Sequence, residues 1–156
     1  MMLLKRLLSK IYRVGAVMFQ PAKEDDIRLL RLTLGRHKLP TLPMDYIQFL
    51  NLTDGMLWNG MQFYGVHSHK RDNLGYTFPS LLEVNMDYLA RKRRQNFLVL
   101  GEVDEDLIVY APKEKTYQLV DKMDLQAELN LPRFFDVVYL FSEDLVKENT
   151  QEVPQP

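Results

Sequence analysis

The chain has 156 residues, of which 46% are apolar, with 20 Lys and Arg against 21 Asp and Glu, a net charge of −1. That is the length of one domain with enough apolar side chains for a sizeable core, and its overall charge gives no field that would draw the whole chain to nucleic acid or an acidic membrane. It contains no cysteine, which excludes disulfide frameworks, cysteine-ligated zinc, iron–sulfur clusters and thiol catalysis, and fits a reducing, cytoplasmic setting.

The first segment, Met1 to Arg13, begins like a signal peptide, but Lys10 and Arg13 interrupt the apolar run and no stretch reaches the ~20 residues a membrane-spanning helix needs. Leu4, Leu7, Leu8, Ile11 and Val14 fall on one side of a helix, and Arg6, Lys10 and Arg13 on another. We read residues 1–21 as a basic amphipathic helix packed on the domain, with a membrane or partner contact as the alternative. A second helix is expected from Ala22 to Arg36. Glu24, Asp25 and Asp26 complement its N-terminal dipole, Arg36 its C-terminal end, and Ile27, Leu30 and Leu34 form an inner face.

Pro40 and Pro43 then restrict the chain, and Pro43 suits a first helical turn. From Met44 the apolar positions Tyr46, Ile47, Phe49, Leu50 and Thr53 recur at helical spacing, until Asp54-Gly55 supplies chemistry that stops a helix. Asn59-Gly60 predicts a tight turn, and Met61 to Gly65 a strand. Ser80, three residues before Glu83, has the spacing of a capping box for a helix carrying Leu81, Val84 and Tyr88, closed by Arg91 to Arg94. Three strands follow, Phe97 to Leu100, Leu107 to Tyr110 and Thr116 to Val120, whose short connections favour antiparallel pairing. Pro132 begins a last helix with Phe134, Val138, Phe141 and Leu145 inside, and residues 149–156 are a polar tail expected to be flexible. The sum is a single α+β domain over 22–148, a mainly antiparallel sheet with helices packed on one face.

Residues Leu42, Pro43, Tyr46, Phe49, Leu50, Asp54, Gly55, Phe63, Tyr64 and Gly65 resemble the recurring core of the SUKH superfamily. Gly101 to Asp106 and the strands around it resemble that family's second turn, so the likeness covers roughly residues 22–146. It implies a binding module without catalytic activity or cofactor. Many bacterial members are immunity proteins that neutralise a cognate toxin, often a nuclease, by tight stoichiometric binding. Eukaryotic members resemble regulatory hubs with long disordered flanks, the alternative reading here.

Residue chemistry leaves few catalytic candidates. His67 and His69, two apart, would share one side of a strand and are compatible with metal binding, but no third ligand is identifiable. Glu102, Asp104, Glu105 and Asp106 lack the order of a calcium loop, and the scattered glycines make no phosphate cradle. The cluster Arg91 to Arg94 is read as a solvated helix end, without interleaved aromatic residues for direct nucleic-acid contact. Read alone, Glu102, Asp104, Glu105 and Asp106 fit a solvated hairpin turn, with a partner-facing acidic patch or acid–base catalysis as the alternatives. The resemblance implies that they bind the partner, their carboxylates standing where phosphates sit in a basic cleft, with Trp58 and Asn59 as anchors. Core packing is the competing role for Trp58.

Overall fold

The computed structural model describes residues 2–70, 75, 77–91 and 96–151, with backbone alone for 144–151. The chain opens with α1 (Met2–Arg13), β1 (Val17–Met18), α2 (Glu24–Arg36) and α3 (Met44–Leu50). There follow β2 (Met56–Trp58), β3 (Met61–Phe63), β4 (His69–Lys70), β5 (Thr77–Phe78) and α4 (Leu81–Ala90). Strands β6 (Leu98–Val103), β7 (Asp106–Ala111), β8 (Thr116–Asp121) and β9 (Ala127–Leu131) precede α5 (Phe134–Gln151).

Seven strands form one antiparallel sheet in the order β1-β2-β3-β6-β7-β8-β9, and β4 pairs with β5 separately. The helices lie on one side, making a single compact α+β domain. Leu4, Leu7, Leu8 and Ile11 of α1 join the core, as their spacing predicts. Ile27, Leu30 and Leu34 of α2 do the same. Phe134 of α5 is the hub of an aromatic cluster, its ring within 6 Å, centre to centre, of Tyr46, Phe49, Phe63 and Tyr117.

Local chemistry accounts for the boundaries. The Asn59-Gly60 turn has positive φ at both residues, as a two-residue hairpin of matching twist requires, and sets the register Trp58 with Met61. The capping box of α4 is complete: the Ser80 hydroxyl accepts the Glu83 N–H, and the Glu83 carboxylate reaches back to the Ser80 N–H. Asn85, fully buried in α4, donates to the Val99 carbonyl and accepts the Val99 N–H, both at 2.9 Å. Its carboxamide supplies the two bonds a neighbouring strand would have made beyond the end of β3.

Several expectations are corrected. The helix after Pro43 ends at Leu50, so Asp54-Gly55 does not stop it. The strand before the acidic segment runs on through Gly101 and Glu102 to Val103. Gly101 is therefore strand, not turn; a Cβ there would collide with the Gln62 carbonyl of β3. The last helix continues through Gln151, so residues 149–151 are helical, and 152–156 lie outside the described residues, as do Lys92, Arg93 and Arg94 of the basic cluster.

Candidate functional site

The residues of the first motif converge on one buried knot. Thr53 and Asp54 are almost fully buried. The Asp54 carboxylate accepts the N–H groups of Val66 and His67, while the Thr53 hydroxyl accepts the Phe19 N–H at 3.0 Å and donates to the Gly55 carbonyl at 2.7 Å. A Cβ at Gly65 would run into the Asp54 backbone, and one at Gly55 would press on the Phe63 carbonyl, so both glycines permit close backbone approach. The Tyr46 hydroxyl donates to the Tyr64 carbonyl and approaches the Leu100 carbonyl at 3.2 Å. Burial first, then the charges of Asp54 and Tyr64, raises the Tyr46 phenol well above its ordinary range, so it stays a donor. The spacing of these residues is thus explained by folding: they tie α3, the β2–β3 hairpin and β6 together.

The two histidines are held separately. His69 Nε2 lies 2.8 Å from the Asp54 carbonyl and 3.1 Å from its carboxylate; facing two acceptors, it carries the proton. The His69 ring also stacks on Phe19 at 3.8 Å between centres. His67 Nε2 meets Asp26 of α2 at 3.1 Å on the surface. Asp26, His67 and Ser80 line one open groove, but the Ser80 hydroxyl is engaged as the cap of α4. No nucleophile, base and orienting acid are therefore assembled there among the described residues.

The acidic segment divides between elements: Glu102 lies in β6, Asp104 and Glu105 form the turn, and Asp106 opens β7. Strand register puts Asp106 directly opposite Asp121 of β8. Glu128 of β9 joins them, the three offering carboxylate oxygens within 4.8 Å of one another. Desolvation, then the charges of Asp106, Asp121 and Asp124, raises the Glu128 carboxyl above the usual range, although its exposure to water screens the effect. Such oxygens are the donor type a hard cation takes.

Lys122 binds this group from within. Its Nζ lies 3.3 Å from the Glu102 carboxylate and 2.8 Å from the Asp104 carbonyl, and its N–H donates to the Glu105 carbonyl. The β8–β9 turn is shaped by Asp121, which accepts the N–H groups of Met123 and Asp124, and leaves Met123 85% exposed. Asn59-Gly60 adjoins from the other side, Gly60 standing next to the Asp104 carboxylate.

Three turns thus meet at one end of the sheet. Of the residues expected in an interface, Glu102, Asp104, Glu105, Asp106 and Asn59 are brought together. Trp58 is not available as a surface anchor: it is 8% exposed and belongs to the core. Sequence reasoning missed Asp121, Asp124, Glu128 and Met123, which join through the pairing of β7 with β8 and β8 with β9. Comparison of the chain with protein-family models and with curated proteins gives no match.

Proposed function

We propose that this chain is a SUKH-like, non-catalytic binding protein: a bacterial immunity protein that neutralises a cognate nuclease-type toxin by occluding it with the acidic end of its sheet. The observation that carries the reading is the unbalanced charge at that end. Like charges directly across a sheet are destabilising, yet Asp106 faces Asp121 with Glu128 beside them, and Lys122 is the one cation paired into the group among the described residues. Places where a local rule is broken are where functional or strained sites are expected.

A basic cleft made for nucleic acid would supply the missing cations, and exposed Met123 offers an apolar contact amid the carboxylates. Association would be steered by charge and weakened by salt. The resemblance of the motif residues supports the family, while their engagement in the Asp54 and Tyr46 knot supports binding over catalysis.

The test is affinity capture on the immobilised chain, followed by assay of each captured protein for nuclease activity and its inhibition. A single toxic nuclease, inhibited one-to-one by the wild type but far less by Asp104→Lys, Glu105→Lys and Asp124→Lys combined, is the expected result. Inhibition undiminished by that variant would move the interface elsewhere. Capture of several non-toxic proteins would replace the immunity reading with that of a regulatory scaffold.

A further inference from the structure

Charge is segregated at a second place in the molecule. Helix α1 contains Lys5, Arg6, Lys10 and Arg13 and no acidic residue. With Leu4, Leu7, Leu8 and Ile11 turned into the core, the four cations occupy the outer face and are exposed. None of them forms an ion pair among the described residues. Beside them stand three exposed apolar side chains, Met2 (71%), Leu3 (55%) and Tyr12 (62%).

Two adjoining open grooves run along this helix, of about 530 and 510 Å³. The first carries Leu8, Tyr12, Met18 and Leu52 between Lys5 and Arg13; the second is edged by Met2 and all four cations. Neither is lined by an acidic residue among the described residues.

We propose that the outer face of α1 is a peripheral docking surface for a bilayer rich in anionic phospholipid. Clustered Lys and Arg are drawn to the negative potential of such a surface. Apolar and aromatic side chains beside them match the boundary between headgroups and acyl chains, where a Tyr ring keeps its hydroxyl wet. That pairing favours lipid over nucleic acid, whose phosphate backbone offers no place for Met2 and Leu3. Because the apolar stripe of α1 is already committed to the core, attachment is reversible, charge-led and shallow. The surface is independent of the acidic end and of any toxin partner.

The experiment is co-sedimentation of the full chain with vesicles of pure phosphatidylcholine and with vesicles of equal parts phosphatidylcholine and phosphatidylglycerol. Binding to the mixed vesicles alone, lost on raising the salt, is expected. Each cation removed should weaken partitioning roughly fivefold. A combined Lys5→Gln, Arg6→Gln, Lys10→Gln and Arg13→Gln variant should therefore stay in the supernatant with an unchanged thermal transition. Leu3→Ser with Tyr12→Ser, which keeps every charge, should weaken vesicle binding while leaving its salt dependence. Failure to bind the mixed vesicles would overturn the proposal, as would undiminished binding by the four-Gln variant. Binding to a short DNA duplex in preference to the mixed vesicles would overturn it too.

Discussion

Replacing Asn85 by Ala tests how α4 is fastened to the sheet. The substitution removes the donor to the Val99 carbonyl and the acceptor of the Val99 N–H, in a position with no solvent exposure. The bond from Nδ2 to the Leu81 carbonyl is lost as well, but that carbonyl retains its place in the helix ladder. A buried N–H left without an acceptor costs about 1–3 kcal/mol and a lost carbonyl bond about 0.5–1.5 kcal/mol, so the variant should lose about 3 kcal/mol. Against a domain stability of about 5–15 kcal/mol, that is a large fraction. Urea denaturation read by Trp58, the single and buried tryptophan, would show a lower midpoint with an unchanged slope. Asn85→Asp keeps an acceptor for Val99 but buries a charge and should be no more stable than the Ala variant. A loss below about 0.5 kcal/mol would refute the reasoning, since it would mean that Val99 finds other partners at no cost.

Tyr46→Phe should cost about 1–2 kcal/mol in the same assay, because the buried bond from the Tyr46 hydroxyl to the Tyr64 carbonyl is lost while the Leu100 carbonyl keeps the Tyr64 N–H at 2.9 Å. Gly65→Ala should be worse than an ordinary overpacked site, by more than about 2 kcal/mol, because the atoms in the way are the backbone of Asp54. A soluble variant with an unchanged melting temperature would disprove that. Glu128 gives a pH signature. A carboxyl whose pKa is raised on folding supports the fold below its ordinary pKa, and this contribution is lost as the pH rises through the folded value. Glu128→Gln should therefore melt higher than the wild type at neutral pH and lose that advantage in acid, measured by thermal scans across the range.

Local chemistry made much of the fold legible. The capping box at Ser80 and the two left-handed residues of Asn59-Gly60 act within a few residues, so their outcome can be read from the letters. The central strands, rich in Val, Leu, Ile and Tyr, declare themselves for the same reason. Strand β9 does not: Ala-Glu-Leu-Asn-Leu lacks strand-forming residues and is extended because β8 offers it a ladder at the sheet edge. Gly101 looked like a turn because its real constraint, the Gln62 carbonyl, comes from a strand almost forty positions earlier. Asn85 was hidden within an apolar stripe, since nothing near it in sequence marks Val99 as its partner. Half of the acidic end was legible as a charge run; the rest, from Asp121 to Glu128, required the register of two ladders.

One carboxylate has a bearing on how the chain is assembled in time. Asp45, in the first turn of α3, accepts the Tyr117 hydroxyl of β8 and the Phe134 N–H that begins α5, partners 72 and 89 positions away. Closing loops of that size must precede any reward from the contact, which places this clasp among the slow steps of folding. During synthesis α3 emerges with Asp45 bonded only to water, and Tyr46 and Phe49 lack the Phe134 ring that packs on them until the start of α5 has left the ribosome. The amino-terminal half is thus dependent on the last helix for completion, and truncation before α5 would leave a chain exposed to aggregation rather than a smaller working domain.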